Sequence, residues 1–368
     1  MQKVLVVGQT PPPYHGQAIM IENMIKAKFK RIKLYHIRMD FSSENDEVGK
    51  FRLTKIVKLF AIILKIYYYR IRYDIHHLYY PPAPPKMIPV IRDIVILNAT
   101  RWLFKSTIFH FHAAGVSEIY DDLKGLIKKL YEEAYFYPDV SIGLSRFNPE
   151  DGKCLYSKKE LIIPYGIKDE YGETFLRKSA PDKPDVITLL FVGLLCESKG
   201  VVKLLESARL LLSRGYRFHL QFIGKFESPE FEKQVVHIVD SYGLTDYVAF
   251  LGVKTGYDKF KLFFEADVFC FPTFYEAESF GIVILEAMQF SLPVVATRWR
   301  GVPSVVQNNV NGFLVPPKDA QAFANKLEIL IKDYRLRGKL GNAGRDIYIN
   351  NFTEEQYYDQ LELSFCTV

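Results

Sequence analysis

Two carboxylates eight positions apart, Glu278 and Glu286, are the residues whose types and spacing most directly suggest chemistry. They lie in residues 274–296, FYEAESFGIVILEAMQFSLPVVA, behind the apolar run ADVFCFPT and overlapping a second, LPVVAT. The pattern reads strand, turn, helix, strand, with the acids at the carboxyl end of the first strand, where open α/β sheets bind ligands. Gly281 opens the helix, so the backbone N–H groups of Phe280, Gly281 and Ile282 lack intrahelical acceptors. They carry the positive end of the helix dipole and suit an anion or a sugar hydroxyl. Glu278, in the loop, can point at such a ligand. Glu286 sits on a helix face otherwise made by Ile282, Val283, Ile284 and Leu285, and could accept bonds from two vicinal hydroxyls, as on a ribose. The competing reading makes Glu286 a solvated helix residue and Glu278 an ordinary loop acid.

Other residues of interest fall in the first half. IFHFHAAG puts His110 and His112 at a strand end, on one face by the period of two. Most lone histidines are structural; His110 is assigned to the core, and the pair His76–His77 also reads as structural. PPPYHGQA, residues 11–18, joins the first strand to its helix, and Gly16 there would let backbone approach a phosphate or sugar, or simply serve a turn. Arg92 and Asp93 interrupt an apolar helix and read as a salt bridge or domain contact.

Strand and helix signals alternate along the chain. KVLVVG, IKLYHIRM, DIHHLYY, STIFHFHA, DVSIGLS and ELIIPYGI read as strands, most of them separated by helical periodicity or, once, a polar loop at 41–50. Residues 168–184 lose the periodicity and are rich in charge, Gly and Pro, so they read as a linker. The alternation then restarts with VITLLFVG, FHLQFIG, YVAFLG, ADVFCFP, LPVVAT and GFLVP. Two βαβ arrays predict two doubly wound α/β domains, residues 1–167 and 185–350, facing each other across a cleft, with a last helix in 351–368 crossing back to the first.

The composition narrows the function. A chain of 368 residues is too long for one ordinary core. Its four cysteines are scattered without a CxxC pair, and no HxxxH or Asp-x-Asp pattern appears, which argues against a metal site. Residues 1–165 hold 25 Lys and Arg against 16 Asp and Glu, a net +9, whereas the remainder is mildly acidic. That asymmetry suggests that the first half meets something anionic. Nucleic acid is disfavoured, because a pI near 8.8 is modest and no binding motif is present. The opening MQKVLVVGQTPPP is too short for a signal peptide, and no uncharged run reaches the ~18 residues of a membrane span. A cytoplasmic protein is expected. The basic helix carrying Lys55, Lys58, Lys65, Arg70 and Arg72 could lie against the inner face of a membrane or cover the first sheet with its lysines extended to water; the second reading is preferred.

The motif E-x-F-G-x-x-x-x-E-A-M followed by PVVA resembles the E-x7-E signature of retaining GT-B glycosyltransferases of family 4, glycosyl transferases group 1. FVGLLCESKG at 191–200 is similar to that family's G-R-L-x-x-x-K-G, PYGI at 164–167 to its P-N-G-I, and Asn311, Gly312 and Phe313 to its N-G-x-L turn. The resemblance implies a metal-independent hexosyltransferase with no cofactor, moving a sugar with retention from a nucleoside diphosphate sugar, UDP-sugar favoured, to a glycan or polyprenyl-linked acceptor in surface polysaccharide or glycoconjugate synthesis. It implies that Glu286 binds the ribose, Glu278 the donor sugar and Lys199 the diphosphate, with Gly193, the backbone of Phe280, Gly281 and Ile282, and Val253 also at the donor. It further implies that His112 lies near the reacting sugar and that Gly16 and Gln17, with His15, border the donor. The family's arginine in G-R-L is Leu194 here, its asparagine in P-N-G is Tyr165, and a common glycine before PVVA is Ser291. The lost arginine opens the alternative of a nucleotide-sugar-binding protein impaired in catalysis.

Overall fold

The computed structural model of the protein describes residues 1–12, 15–39, 41, 53–171, 175 and 186–367. The chain divides into two compact units, Met1–Pro164 with Glu355–Val368, and Tyr165–Glu354. Among the described residues each unit is built on one six-stranded sheet whose paired strands are all parallel.

The first sheet holds β1 (Gln2–Gly8), β2 (Ile32–Arg38), β3 (His77–Tyr80), β4 (Ser106–His110), β5 (Val140–Gly143) and β6 (Glu160–Ile162) in the order β2-β1-β3-β4-β5-β6. Val4, Leu5, Val6 and Val7 are all fully buried, as a parallel strand covered by helices on both faces requires. The helices are α1 (Gly16–Lys26), α2 (Leu53–Arg72), α3 (Met87–Thr100), α4 (Gly125–Tyr135) and the single turn α5 (Asp151–Cys154). α2 packs on α3, and α3 on α4. Beneath them Asp93 is fully buried and heavily bonded. It accepts from Tyr80 Oη (2.8 Å), the Ala83 N–H (2.8 Å), Arg92 Nε and Nη2 (2.9 and 2.7 Å) and Tyr135 Oη (3.2 Å). Burial works against the Arg92 charge, but the adjacent carboxylate outweighs it and raises the Arg92 pKa.

The second sheet holds β7 (Ile187–Val192), β8 (Phe218–Ile223), β9 (Val248–Phe250), β10 (Val268–Phe271), β11 (Val294–Thr297) and β12 (Gly312–Val315) in the order β12-β11-β10-β7-β8-β9. Counted from its own first strand this is the 3-2-1-4-5-6 order of a dinucleotide-binding fold. Its helices are α6 (Val201–Ser213), α7 (Pro229–Ser241), α8 (Gly256–Glu265), α9 (Ile282–Gln289), α10 (Ala320–Lys332) and α11 (Tyr334–Asn351). Leu189, Phe191, Phe218, Leu220 and Phe222 from the strands bury against Leu204 and Leu211 of α6 and Leu327 of α10. Tyr165, at the family's asparagine position, is buried edge-on against Phe280, with ring centroids 5.7 Å apart. Ser291 holds φ 57, in the left-handed region that favours glycine.

The last helix, α12 (Glu354–Phe365), belongs to the first unit. Phe365 packs edge-on against Tyr79, and Glu362 accepts the Arg31 N–H (2.6 Å). The helix therefore starts three residues later than the tail drawn from the sequence, because α11 runs on to Asn351.

The boundary drawn at residue 167 also moves, to 164. The Ile167 N–H donates to Phe352 O (3.0 Å) and its carbonyl accepts from the Glu354 N–H (3.1 Å), tying 165–167 to the end of α11. The stretch 168–184 read as a linker begins as packed chain. Arg345 grips Asp169 with both terminal nitrogens (2.8 and 2.5 Å), and Gln289 donates to Lys168 O (2.7 Å) while accepting from the Glu170 N–H (3.1 Å). Residues 172–174 and 176–184 of that stretch, most of the polar loop at 41–50, and the Lys55 side chain lie outside the described residues.

Candidate active site

In the second unit the chain winds outward in both directions from the adjacent strands β7 and β10, which pair through Leu189 with Val268 and Leu190 with Phe269. The crevice at the carboxyl ends of two such strands is where a doubly wound sheet takes its ligand. Two loops meet there. One runs from Gly193 to Gly200 after β7, the other from Pro272 to Gly281 after β10.

Close packing explains both terminal glycines. Gly200 has φ 81, and a Cβ on it would lie 2.2 Å from Pro272 O. Gly281 has φ 82, and its Cβ would lie 2.9 Å from Ile284 Cδ1 and 3.1 Å from the Phe271 ring. Gly281 is the N-cap, and the helix starts at Ile282, one residue later than the sequence reading placed it. The N–H groups left without intrahelical acceptors accordingly centre on Ile282 and Val283, since Ile284 N–H already donates to Gly281 O (2.9 Å). Phe280 is fully buried and contributes only backbone at this point.

Lys199, on a 3-10 turn spanning Glu197–Lys199, reaches across and donates to Glu278 Oε2 (2.5 Å). Thr273 Oγ1 donates to the same oxygen (3.0 Å), and the ammonium stands 4.7 Å from the Tyr275 ring centroid. Glu278 is only 8% exposed. Both loops are braced: Phe274 N–H donates to Ser198 O (2.8 Å), Trp299 Nε1 to Tyr275 O (2.7 Å), and the Thr297 hydroxyl to Thr273 O. Glu286, at the fifth position of α9, accepts from Lys259 Nζ of α8 through Oε1 (2.7 Å). Its Oε2 is buried with no partner, so the carboxylate is neither solvated nor satisfied. An incoming hydroxyl would complete it.

Gly193 closes onto the neighbouring strand end, its N–H on Ile223 O (2.9 Å), and a Cβ on Gly224 would fall 1.8 Å from Gly193 O. Leu194 beside it is 41% exposed and brings no charge. Val253 follows β9 at the outer side of the sheet and is 66% exposed. The structure thus joins Gly193, Lys199, Glu278, Gly281 and Ile282 around one strand junction, with Glu286 a turn further along α9 and Val253 apart from them.

Gly16, Gln17 and His112 lie in the first unit. Gly16 starts α1 in open space with an exposed backbone, so no close approach dictates glycine here; Gln17 is half-buried. His15 caps that helix, its Nδ1 accepting the Ala18 N–H (3.3 Å). β4 ends at His110, which places His112 in the following loop rather than in the strand. Both imidazoles still converge on one hydroxyl: Tyr79 Oη lies 2.8 Å from His110 Nδ1 and 3.0 Å from His112 Nε2. A phenol has one proton, so it donates to one ring and accepts N–H from the other. Burial pushes the His110 pKa down to about 3. Burial, then the nearby His110 and His15 rings, hold His112 well below its usual value. Both are neutral at pH 7.

A measurable consequence follows. A histidine whose folded pKa is depressed favours the folded state above its unfolded pKa of 6.5 and loses that contribution as pH falls. His110 alone removes about 1.4 kcal/mol between pH 7.5 and 5.5. Urea unfolding at the two pH values should show this loss, and a His110→Gln variant should show it reduced; an unchanged pH dependence in the variant contradicts the assignment.

Sequence reasoning missed Lys259, Thr273 and Tyr79. Lys259 is 27 residues from Glu286, in a helix whose two lysines, Lys259 and Lys261, look alike in sequence. Tyr79 is one of two tyrosines ending a strand, and nothing local marks it as the histidines' shared partner.

Both units are of the doubly wound Rossmann class, and together they define the GT-B fold. Solved structures that share this fold include Anabaena Alr3699/HepE in complex with UDP (TM-score 0.75, 16% identity, covering 100% of both chains). Sucrose-phosphate synthase from Thermosynechococcus elongatus is another (TM-score 0.73, 18% identity, covering 100% of this chain and 99% of that one). Residues 173–347 match the family model of glycosyl transferases group 1. The second unit thus carries the domain of the glycosyl transferases group 1 family. Among curated relatives, the Staphylococcus aureus capsular polysaccharide biosynthesis glycosyltransferase CapM is 31% identical over 183 residues, which is 50% of this chain and 47% of CapM. The putative colanic acid biosynthesis glycosyltransferase WcaL of Escherichia coli K12 is 25% identical over 254 residues, 61% of each chain. The chain spans about half the length of these curated relatives.

Proposed function

We propose that the protein is a retaining glycosyltransferase of surface polysaccharide synthesis, taking a nucleoside diphosphate sugar and a glycan or lipid-linked glycan acceptor. The observation that carries the proposal is the meeting of Lys199 and Glu278 beside the Gly281 helix start at the β7–β10 junction. A UDP-sugar is the favoured donor, supported by the UDP complex of the similarly folded HepE. Polysaccharide synthesis is supported by the names of CapM and WcaL.

In this reading Lys199 and Glu278 neutralise one another until the donor arrives. The diphosphate then takes the ammonium, and Glu278 turns its freed oxygen to a sugar hydroxyl. The backbone N–H groups of Ile282 and Val283 face the same anion. The unsatisfied Glu286 Oε2 accepts from the ribose. Gly193 lets the β7 loop run close to the donor and Val253 lines the outer end; for the first unit, Gly16, Gln17 and neutral His112 are the residues proposed to contact substrate. As the anomeric bond breaks, charge grows on the departing diphosphate, and a preorganised cation stabilises it. No protein nucleophile and no metal enter this scheme, because the cation is supplied by Lys199. The protein would act in the cytoplasm, where nucleotide sugars are made.

A second reading, a nucleotide-sugar binder impaired in catalysis, is motivated by the uncharged Leu194 at the family's arginine position. Two measurements decide. A thermal-shift panel of UDP-, GDP- and ADP-sugars should raise Tm for the true donor class, since ligands that bind only the native state stabilise it. Release of nucleoside diphosphate with acceptor present should fall about 10- to 100-fold in kcat/KM for Glu278→Gln, the cost of one hydrogen bond to a charged group. Donor binding without any such release would favour the binder, and no stabilisation by any nucleotide sugar would sink both readings.

A further inference from the structure

Glu286 takes its orientation from a residue outside its own helix. Lys259 of α8 holds Oε1 at 2.7 Å, and the two side chains are largely covered, 20% and 13% exposed. Rings fix the spacing of the two helices. Phe290, which ends α9 and is buried, stacks on Phe260 and Phe263 of α8, with centroids 5.9 and 6.1 Å apart and planes 24° and 16° from parallel. Phe260 is the residue next to Lys259, and its ring centroid lies 4.7 Å from the ammonium. A lysine on an open surface turns through many rotamers. This one is held at its root by stacking and at its tip by a carboxylate.

The pairing leaves an acceptor and a donor open side by side. A carboxylate is planar, so anchoring Oε1 on Nζ sets the direction of Oε2, and Oε2 is buried with no hydrogen-bond partner. An ammonium has three donors. Among the described residues, Glu286 Oε1 is the acceptor that Lys259 Nζ meets. A buried acceptor left unmatched beside spare donors is costly until something bridges them. A vicinal diol does so: one hydroxyl donates to Oε2, and the oxygen of its neighbour accepts from Nζ. A lone hydroxyl satisfies only one of the two. A phosphate would be repelled by the carboxylate and a ligand ammonium by Nζ, so neither ion fits this point.

We propose that Lys259 makes this site specific for nucleotides whose ribose carries a free vicinal diol: it aims Glu286 Oε2 at one hydroxyl and takes the oxygen of the other itself. The inference rests on the nucleotide-sugar reading above. Glu286 alone would offer two oxygens on a side chain free to turn. The lysine converts it to a fixed acceptor beside a fixed donor.

Calorimetric titration of the full chain with UDP, GDP and ADP selects the tightest of the three, and its 2′-deoxy and 3′-deoxy forms are then titrated. In the parent each deoxy form should bind about tenfold or more weakly, since each loses a hydrogen bond to a charged group. In Lys259→Met the intact nucleotide should weaken by a similar factor and the deoxy forms by much less, so that the preference for the intact diol falls to about threefold or below. Lys259→Arg should restore part of the preference, because a cation returns in altered geometry. Lys261→Met, on the same helix and paired at 3.8 Å with Glu265, should keep the preference of the parent, which separates the role of Lys259 from a general effect of removing an α8 lysine. A Lys259→Met variant with the parent's preference, or a parent that binds intact and deoxy nucleotides alike, overturns the inference and leaves the sugar-transfer reading standing. Binding of none of the three nucleotides overturns both.

Discussion

Replacing Lys199 by alanine is expected to lower kcat/KM for sugar transfer about 30- to 1,000-fold, or ~2–4 kcal/mol of transition-state stabilisation, the range for losing one preorganised donor. The loss should fall mainly on kcat. The ammonium meets a charge that is largest as the diphosphate departs, and an interaction stronger in the transition state than in the bound donor acts on the chemical step. Part of the effect will come through Glu278. That carboxylate is 8% exposed and would keep only Thr273 Oγ1 as a side-chain donor. Lys199→Arg should recover part of the activity, because a cation is restored with altered geometry. Steady-state kinetics with nucleoside diphosphate release as the readout test this directly. A kcat/KM equal to that of the parent would remove Lys199 from the diphosphate.

Asp93→Ala should destabilise the first unit by about 3–5 kcal/mol, the cost of breaking a buried ion pair from one side. Five hydrogen bonds end on this carboxylate, from β3, the loop at Ala83, α3 and α4. Its removal leaves the Arg92 guanidinium without that counter-charge and the Tyr80 and Tyr135 hydroxyls facing a cavity. Calorimetry of the full chain should show the transition of the first unit displaced downward, while the second unit, which contains none of these residues, keeps its own. Asp93→Asn, which preserves shape and an acceptor, should cost less. If Asp93→Ala unfolds with the midpoint of the parent, the cluster contributes nothing to the unit's stability.

The sequence carries the alternation of strand and helix plainly, because parallel strands buried on both faces are continuous apolar runs. VVKLLESARLLLS and the runs KVLVVG and VITLLFVG leave little choice. Glu278 and Gly281 were legible for the same reason: they follow the apolar strand β10 directly, and the helix signal starts at once. What the sequence hid is long-range pairing. Asp93 was readable as the ion-pair partner of Arg92, and that bridge is present (2.7 Å), but nothing local showed that Tyr80, Ala83 and Tyr135 also close on it. Glu286 gave no sign of Lys259, nor His110 and His112 of Tyr79, since each pair is set by the packing of separate elements. Element ends were blurred by a residue or two. Phe111 N–H still bonds to Ile142 O (2.8 Å), but a tight bond from His112 N–H to His110 O (3.1 Å) turns the chain off the strand. The boundary near residue 167 was hidden by the pairing of Ile167 with Thr353, nearly two hundred positions away in sequence.

The membership of α12 in the first unit has a consequence for how the molecule comes into being. A ribosome delivers residues 1–164 early, yet that unit lacks the helix that buries Tyr357, Leu361 and Phe365 until residues 354–365 emerge. The second unit is contiguous in sequence and can close as soon as its own strands are out. The part synthesised first is therefore completed last. Phe365 then seats against Tyr79, and the hydroxyl of that tyrosine is the one on which His110 and His112 converge.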